Sequence, residues 1–350
     1  AVVALFRVLR LDERRLYPVL FTCFFTGFFL VNTVFTWPQL MAAAYFIMSL
    51  CFVLRWRETG SLLRMVLAGL AFAWSFLSHS GVAFAAPVIA IFMLPRFSWA
   101  YVKAASCFVG TFIVAMLPWK FYCSWFAPPG NRLIKWHIGG VEPLNDAGTW
   151  ETIRATYSQL TLQTWWDGRL KNLSMLIGYW PPLSDVLVYR QQQYFRMVQT
   201  VDYLLLGVVI WMVYLAVGKT RNHEERSFFA KLGLGLLLSL IFWMVAMIIP
   251  SSTVVHQGSY AVVVLGFVGA AYFLWALWKP LALVLVAVGI ARFAWIWLGI
   301  PEYVMMNPET FCELNLKALS RLILGFLALV AVSSDVVWNR IAKMAQKYAR

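Results

Sequence analysis

Three side chains that can bind a phosphate lie close together just after a Pro-Pro-Gly turn. They are Arg132, Lys135 and His137, which fall within six residues and flank Trp136. A guanidinium group can hold two phosphate oxygens as a planar fork, and an ammonium group acts as a compact positive charge. The segment therefore predicts a phosphate clamp. The alternative is contact of interfacial Lys, Arg and Trp side chains with lipid headgroups, without a specific ligand.

Two histidines precede apolar runs elsewhere in the chain. One opens the segment His256-Gln-Gly-Ser-Tyr260, and the other opens His79-Ser-Gly81 between two apolar runs. A histidine at a helix entrance can carry a proton, contact a phosphate or bind a metal. We therefore add His256, Tyr260 and His79 to the candidate substrate-binding residues. The alternatives are a polar helix start with Tyr260 as a membrane-interface anchor and, for His79, an ordinary tight turn.

Arg292 is the basic residue that lies well inside an apolar run. A charge at membrane depth normally faces a cavity or a partner, so Arg292 is a further candidate for ligand binding. Trp295 and Trp297 follow closely, which leaves open the alternative that the arginine reaches out to the membrane interface.

The elements that must position these residues are predicted to be membrane helices. Of the 350 residues, 62% are hydrophobic and only 13% are charged, about half the charged fraction of a soluble domain. A water-soluble single core is thereby excluded. The net charge of +14 comes from residues in short loops between apolar runs. That placement favours membrane topology and contact with anionic lipid over nucleic-acid binding.

The fold class is therefore predicted to be an all-α polytopic membrane protein. At about 20 apolar residues per span, we expect about ten transmembrane helices after a partial first one, Ala1–Leu9, whose beginning lies upstream of this sequence. The spans run roughly over 17–34, 39–55, 62–78, 81–95, 104–119, 201–218, 230–249, 259–277, 280–299 and 318–338. The span at 81–95 is short, which predicts a tilted helix or a re-entrant pair with 62–78.

The distribution of Lys and Arg predicts which side each loop faces. They gather in one set of alternate connections and in the C-terminal tail. The opposite short connections at 34–38, 79–80 and 250–258 contain none, and the remaining one, 300–317, contains Lys317. By the positive-inside rule the basic loops and the C-terminus are cytoplasmic. Three regions follow: transmembrane helices in 1–119, an external, periplasmic loop region in 120–200, and transmembrane helices with a basic cytoplasmic tail in 201–350.

The external loop region is predicted to contain an amphipathic helix. Thr149 is a suitable cap, Glu151 lies in the favourable first turn, and apolar residues then recur at helical spacing, less regularly beyond residue 160. A helix this rich in tryptophan beside a membrane is expected to lie in the plane of the interface.

Several segments together resemble a known group of enzymes. They are Phe35-Thr-Trp-Pro38, Leu67-Ala-Gly-Leu-Ala-Phe72 with Leu77-Ser-His79, Leu117-Pro-Trp119 and His256–Tyr260. With the order of the spans, they resemble the middle and end of the GT-C glycosyltransferases, and more narrowly the protein-mannosyltransferase and aminoarabinose-transferase-like group of bacteria. Ser259 stands where that group usually has an arginine.

The resemblance implies a sugar transfer on the external face of the bacterial inner membrane. The donor would be a polyprenyl-phosphate sugar, the acceptor a lipid or glycan, and membrane lipids the surrounding partners. The phosphate would lie near Arg132, Lys135 and His256, and basic groups would stabilise it as it departs. The resemblance requires no cofactor and leaves room for a divalent metal ion. It also implies a catalytic carboxylate on a loop upstream of Ala1.

Three other interpretations stay open at this point. An O-antigen ligase or polymerase also has many spans, a large external loop and basic or histidine residues for a lipid pyrophosphate. A transporter would use Arg292 as its site inside the membrane, although the sequence has no inverted repeat. A membrane scaffold without catalytic activity would fit the scarcity of external carboxylates.

Overall fold

A computed structural model describes about half of the chain. The described residues are 1–24, 38–93, 98–126, 134–135, 138–139, 147–177, 211, 223–246, 260–277, 279–284 and 286–287. They form helices and turns, with no strand among them. The helices are α1 (Val2–Val8), α2 (Leu16–Phe24), α3 (Gln39–Thr59), α4 (Leu62–Ser78), α5 (Ala86–Met93), α6 (Trp99–Trp125), α7 (Thr149–Gln159), α8 (Leu162–Ile177), α9 (His223–Ala246) and α10 (Tyr260–Leu277). Short 3₁₀ helices cover Glu13–Arg15 and Ser80–Ala85.

Three of the described helices are long and apolar enough to cross a membrane. They lie at Gln39–Thr59, Trp99–Trp125 and Glu225–Ala246, and shorter apolar helices lie at Leu62–Ser78, Ser80–Met93 and Tyr260–Ala276. The all-helical class is thus confirmed for this part of the chain. Of the predicted spans, 318–338 and almost all of 201–218 lie outside the described residues, as does much of 280–299.

Helices α3 and α4 form an antiparallel pair with a tight connection. Helix α3 ends because Gly60 adopts a left-handed conformation with φ of 69°, which glycine accommodates without a steric penalty. Two buried hydroxyls join the pair, since Ser49 donates to the Ala68 carbonyl and Ser75 donates to the Ala42 carbonyl. These bonds satisfy polar groups that could not be left unpaired in an apolar core.

Helix α6 crosses α4 at Gly69. A Cβ atom at this position would lie 3.1 Å from the carbonyl carbon of Phe108 and closer still to its oxygen. The crossing therefore depends on a glycine. Near this crossing, α6 exposes the side chains of Val109, Ile113 and Val114 along the middle of its length. An apolar outer surface of this kind is expected of a helix that contacts lipid.

Helix α10 is the most deeply buried element of the described bundle. Every residue from 260 to 274 is buried, and the helix packs against α2, α3 and α9. Its sequence is apolar around its whole circumference, as expected of a helix without a solvent-facing side. Helix α5 and the 3₁₀ helix before it pack against α9. The short predicted span at 81–95 is described as far as residue 93, where a 3₁₀ helix is followed by a two-turn α-helix.

A polar network joins the elements near the end of α10. The Tyr272 hydroxyl donates to Glu225 Oε1 at 2.9 Å, and the Arg15 guanidinium carbon lies 5.0 Å from the centre of the Tyr272 ring. Arg15 also pairs with Asp12 at 3.5 Å. These contacts connect the first helices of the chain to α9 and α10.

The predicted amphipathic helix is observed, but as two helices, and its start was assigned wrongly. Gly148 precedes α7, and Thr149 is its first helical residue instead of its cap. The helix stops at Gln159, and a second one begins after Thr161. There Thr161 and Thr164 cap each other, because each hydroxyl accepts the backbone N–H of the other residue. Because this cap starts a new helix, the helical spacing of apolar residues in α7 does not continue into α8.

Candidate functional site

His79 lies between two helices and caps the second of them. It follows α4 with an extended backbone, φ of −159°, and begins the 3₁₀ turn Ser80–Ala85. Its Nδ1 accepts the backbone N–H of Gly81 at 3.2 Å. The expected tight turn is therefore present, and it also fixes one edge of the imidazole ring.

Gln39 holds the other edge of the ring. Its amide nitrogen lies 3.4 Å from His79 Nε2, and its side chain is buried at the first residue of α3. Because Nδ1 already accepts a hydrogen bond from the Gly81 N–H, a neutral ring carries its own proton on Nε2. An N–H needs an acceptor, so the neutral ring is satisfied when the Gln39 amide turns its oxygen towards Nε2.

Tyr260 completes the group, which we call the His79 cluster (Gln39, His79 and Tyr260). Its ring meets the His79 ring edge to face, with 6.3 Å between centroids and 63° between planes. Tyr260 is only 2% exposed and is the first residue of α10. The cluster is thus built from the start of α3, the turn after the next helix, α4, and the start of α10, which comes much later in the sequence.

The loop-region helix α8 is attached at the same end of the bundle. Arg169 Nη1 donates to the Val245 carbonyl at 2.7 Å, near the C-terminus of α9. Three residues earlier on α9, Phe242 meets Phe84 with 5.3 Å between ring centroids. Phe84 belongs to the 3₁₀ turn that His79 begins, so the attachment of α8 and the His79 cluster share one end of the bundle.

Arg169 is well suited to hold this attachment. It is 5% exposed, and its guanidinium carbon lies 5.4 Å from the Trp165 ring centre. A cation at the C-terminal end of a helix is favoured by the helix dipole. Burial lowers the pKa of the Arg169 guanidinium from its ordinary value, although an arginine remains charged in proteins.

Lys135 of the predicted clamp lies within a small folded unit. Its side chain is 2% exposed, and the turn that contains it packs against α7. Gly139 is in close contact with the Lys135 carbonyl and the Thr152 methyl group, and the Thr156 hydroxyl donates to the Gly139 carbonyl. The predicted clamp residue is therefore covered by protein and is not displayed on an open surface.

The structure thus brings together two of the seven residues that the sequence singled out, His79 and Tyr260. Lys135 lies in the folded unit against α7. The other four lie outside the described residues: Arg132, His137, His256 and Arg292.

Sequence reasoning missed Gln39 and Arg169. Gln39 had a signal, because it is a polar residue directly after Trp-Pro at the start of an apolar run. Arg169 had a weaker one: it follows Trp165 by four residues, one helical turn, so that both side chains share a face of α8.

Comparison with known proteins gives no relative from which to assign a role. No protein-family model, no curated protein and no solved structure matches this chain. Within the described ranges, no three His, Cys, Asp or Glu side chains are grouped so as to hold a metal ion.

Proposed function

We propose that this chain belongs to a membrane glycosyltransferase that transfers a sugar from a polyprenyl-phosphate donor to a lipid or glycan acceptor. One observation carries the proposal. His79 and Tyr260 were selected from the sequence independently, in two separate predicted external turns, and their rings lie 6.3 Å apart. Turns on the same face lie at the same end of the bundle, but contact between the two rings brings these candidates to one point and supports a single site there.

The cluster offers the hydrogen-bond donors that a phosphate at the membrane surface requires. A neutral His79 carries an N–H on Nε2, and Tyr260 carries a phenolic O–H. In the proposed reaction an acceptor hydroxyl loses its proton to a carboxylate base, and its oxygen forms a bond to the anomeric carbon of the sugar. The bond between that carbon and the phosphate oxygen breaks, and the phosphate leaves with the electron pair. Donors that face the leaving oxygen stabilise the charge that develops there.

The proposal also assigns the cluster to the external face of a bacterial inner membrane. Gln39, His79 and Tyr260 flank connections without Lys or Arg, whereas Arg15, Arg55 and Arg57 lie near the other ends of these helices. Helices α7 and α8 would then lie over the membrane surface as a cover. In support, α8 exposes an apolar stripe of three side chains at a spacing of four residues, formed by Leu162, Trp166 and Leu170. Such a stripe fits the lipid interface.

Binding of polyprenyl monophosphate tests the proposal without knowledge of the sugar. The protein is placed in nanodiscs and titrated with polyprenyl monophosphate, with polyprenol and inorganic phosphate as separate probes. We expect His79→Ala and Tyr260→Phe each to weaken binding of the lipid phosphate by about tenfold or more, the effect of losing a hydrogen bond to a charged group. Binding of polyprenol should be unchanged, since it lacks the phosphate.

Tyr45→Phe is the matched control, because Tyr45 is also a helical tyrosine with an aromatic neighbour, Trp74, at 5.7 Å between ring centroids. If both cluster variants bind polyprenyl monophosphate as the unmodified protein does, the proposal is wrong. Preferential binding of inorganic phosphate would indicate a site for a soluble anion and would contradict it as well.

A further inference from the structure

The His79 ring is held at both nitrogens by groups from two different elements. Gly81, in the turn after α4, donates to Nδ1, and Gln39, at the start of α3, faces Nε2. The first contact is a backbone bond that no side-chain substitution at position 81 removes. The second depends entirely on the Gln39 side chain. Gln39, a residue that the sequence did not single out, is thus the described partner of Nε2.

Gln39 is placed to act as a fixed partner. It is 6% exposed at the first residue of α3, and α3 packs extensively against α4, which carries His79 at its end. An amide in such a position can accept from Nε2–H through its oxygen without any change of charge. A carboxylate there would instead favour the imidazolium, since a nearby negative charge stabilises the positive ring.

We propose that Gln39 is the positioning residue of this site: it accepts from Nε2–H, holds His79 as the neutral Nε2-protonated tautomer and sets the angle of the ring against Tyr260. The contribution of Gln39 to catalysis rests on the proposed function. The tautomer and the angle of the His79 ring do not depend on that function. A neutral imidazole held in this way is a hydrogen-bond donor towards the site. Without a ligand, the single N–H of the ring is donated to Gln39; a phosphate that binds at the cluster replaces Gln39 as the acceptor of that N–H. The deprotonation of the sugar acceptor is left to another group.

Nitrogen NMR of the histidine rings tests the tautomer directly. The protein, with its four histidines labelled with ¹⁵N in the ring, is reconstituted in nanodiscs, and the His79 signals are identified by their loss in His79→Asn. We expect the unmodified protein to show His79 with its proton on Nε2. In Gln39→Met, a substitution of similar length without a hydrogen-bonding oxygen, we expect that proton to exchange with water about fivefold faster, the effect of one ordinary hydrogen bond.

Gln39→Glu is the rescue variant, because it restores an oxygen at the same position. We expect its Nε2 proton to be protected again, and the ring to gain imidazolium character at a higher pH than in the unmodified protein. Ser78→Ala is the control, since the Ser78 hydroxyl is next to His79 in sequence but donates to the Trp74 carbonyl. It should leave the His79 signals unchanged. Gln39→Glu also carries the test if Gln39→Met does not fold.

Either of two results would overturn the inference. One is a neutral His79 ring that carries its single proton on Nδ1, in the unmodified protein or in Gln39→Glu. The other is a folded Gln39→Met protein whose Nε2 proton exchanges at the original rate. None of these measurements involves a lipid phosphate or a sugar, so failure of polyprenyl monophosphate to bind would refute the proposed function and leave this assignment standing.

Discussion

The crossing of α4 and α6 at Gly69 gives the most direct test of the described architecture. An added Cβ atom would meet the carbonyl oxygen, carbonyl carbon and Cα atom of Phe108, with the last two at 3.1 and 3.2 Å. All three are backbone atoms, which cannot rotate away as the end of a flexible side chain can. Gly69→Ala therefore forces the two helices apart by several tenths of an ångström along their contact.

Gly110→Ala provides the matched comparison on the same pair of helices. Gly110 also lies in a helix, α6, but no atom lies within 4 Å of its added Cβ. Alanine should be preferred to glycine in both helices by up to about 1 kcal/mol. Forcing extra volume into a packed contact costs about 1–3 kcal/mol. Because the helix preference is the same in both variants, it cancels when their free energies of unfolding are subtracted. We therefore expect the free energy of unfolding of Gly69→Ala to be about 1–3 kcal/mol below that of Gly110→Ala.

Equilibrium unfolding in mixed micelles, followed by tryptophan fluorescence, measures this difference for the two purified variants and the unmodified protein. A Gly69→Val variant should be less stable than Gly69→Ala, because its branched side chain adds two further carbons at the same contact. If Gly69→Ala is as stable as Gly110→Ala, the backbone contact between α4 and α6 is not present as described, and the placement of α6 against α4 is wrong.

Two further substitutions test the contacts at the two ends of the bundle. Arg169→Met removes the bond to the Val245 carbonyl, so we expect faster amide hydrogen exchange throughout α8 and unchanged exchange in α3 and α4. The exposed Arg154→Met should leave α8 unchanged, and equal effects of both variants would contradict the attachment. Tyr272→Phe removes the bond to Glu225 and should lower the free energy of unfolding by about 1–3 kcal/mol, whereas an unchanged value would show that the network contributes nothing to stability.

The membrane helices were the part of the fold that the sequence predicted best. The prediction of 62–78 coincides with α4, and 39–55 begins at the same residue as α3. Both helices have strong local end signals. Gly60 ends α3 through its left-handed backbone, and the polar segment that begins at His79 ends α4. Local signals of this kind are present in the residues themselves and need no tertiary context.

The pairing of residues across helices could not be obtained in the same way. Gln39 and His79 meet because α3 and α4 are antiparallel and joined by a short turn, which places the start of one beside the end of the other. Lys135 was expected at a headgroup surface, but its turn packs against α7 through Gly139. A lysine with a long apolar stem suits either environment, and only the tertiary packing decides between them.

The burial of α10 explains why a site at its first residue can be well defined. Tyr260 is fixed by a helix that is enclosed as far as residue 274. About 18 Å further along the same helix, Tyr272 is anchored to Glu225 on α9 and lies under Arg15. The position of the Tyr260 ring is thus set by packing along the whole helix. His79 is set separately by Gly81 and Gln39. With Tyr260 fixed by its helix and His79 by its two partners, the two side chains keep a constant separation while a ligand binds. The proposed recognition of a phosphate requires such a fixed separation.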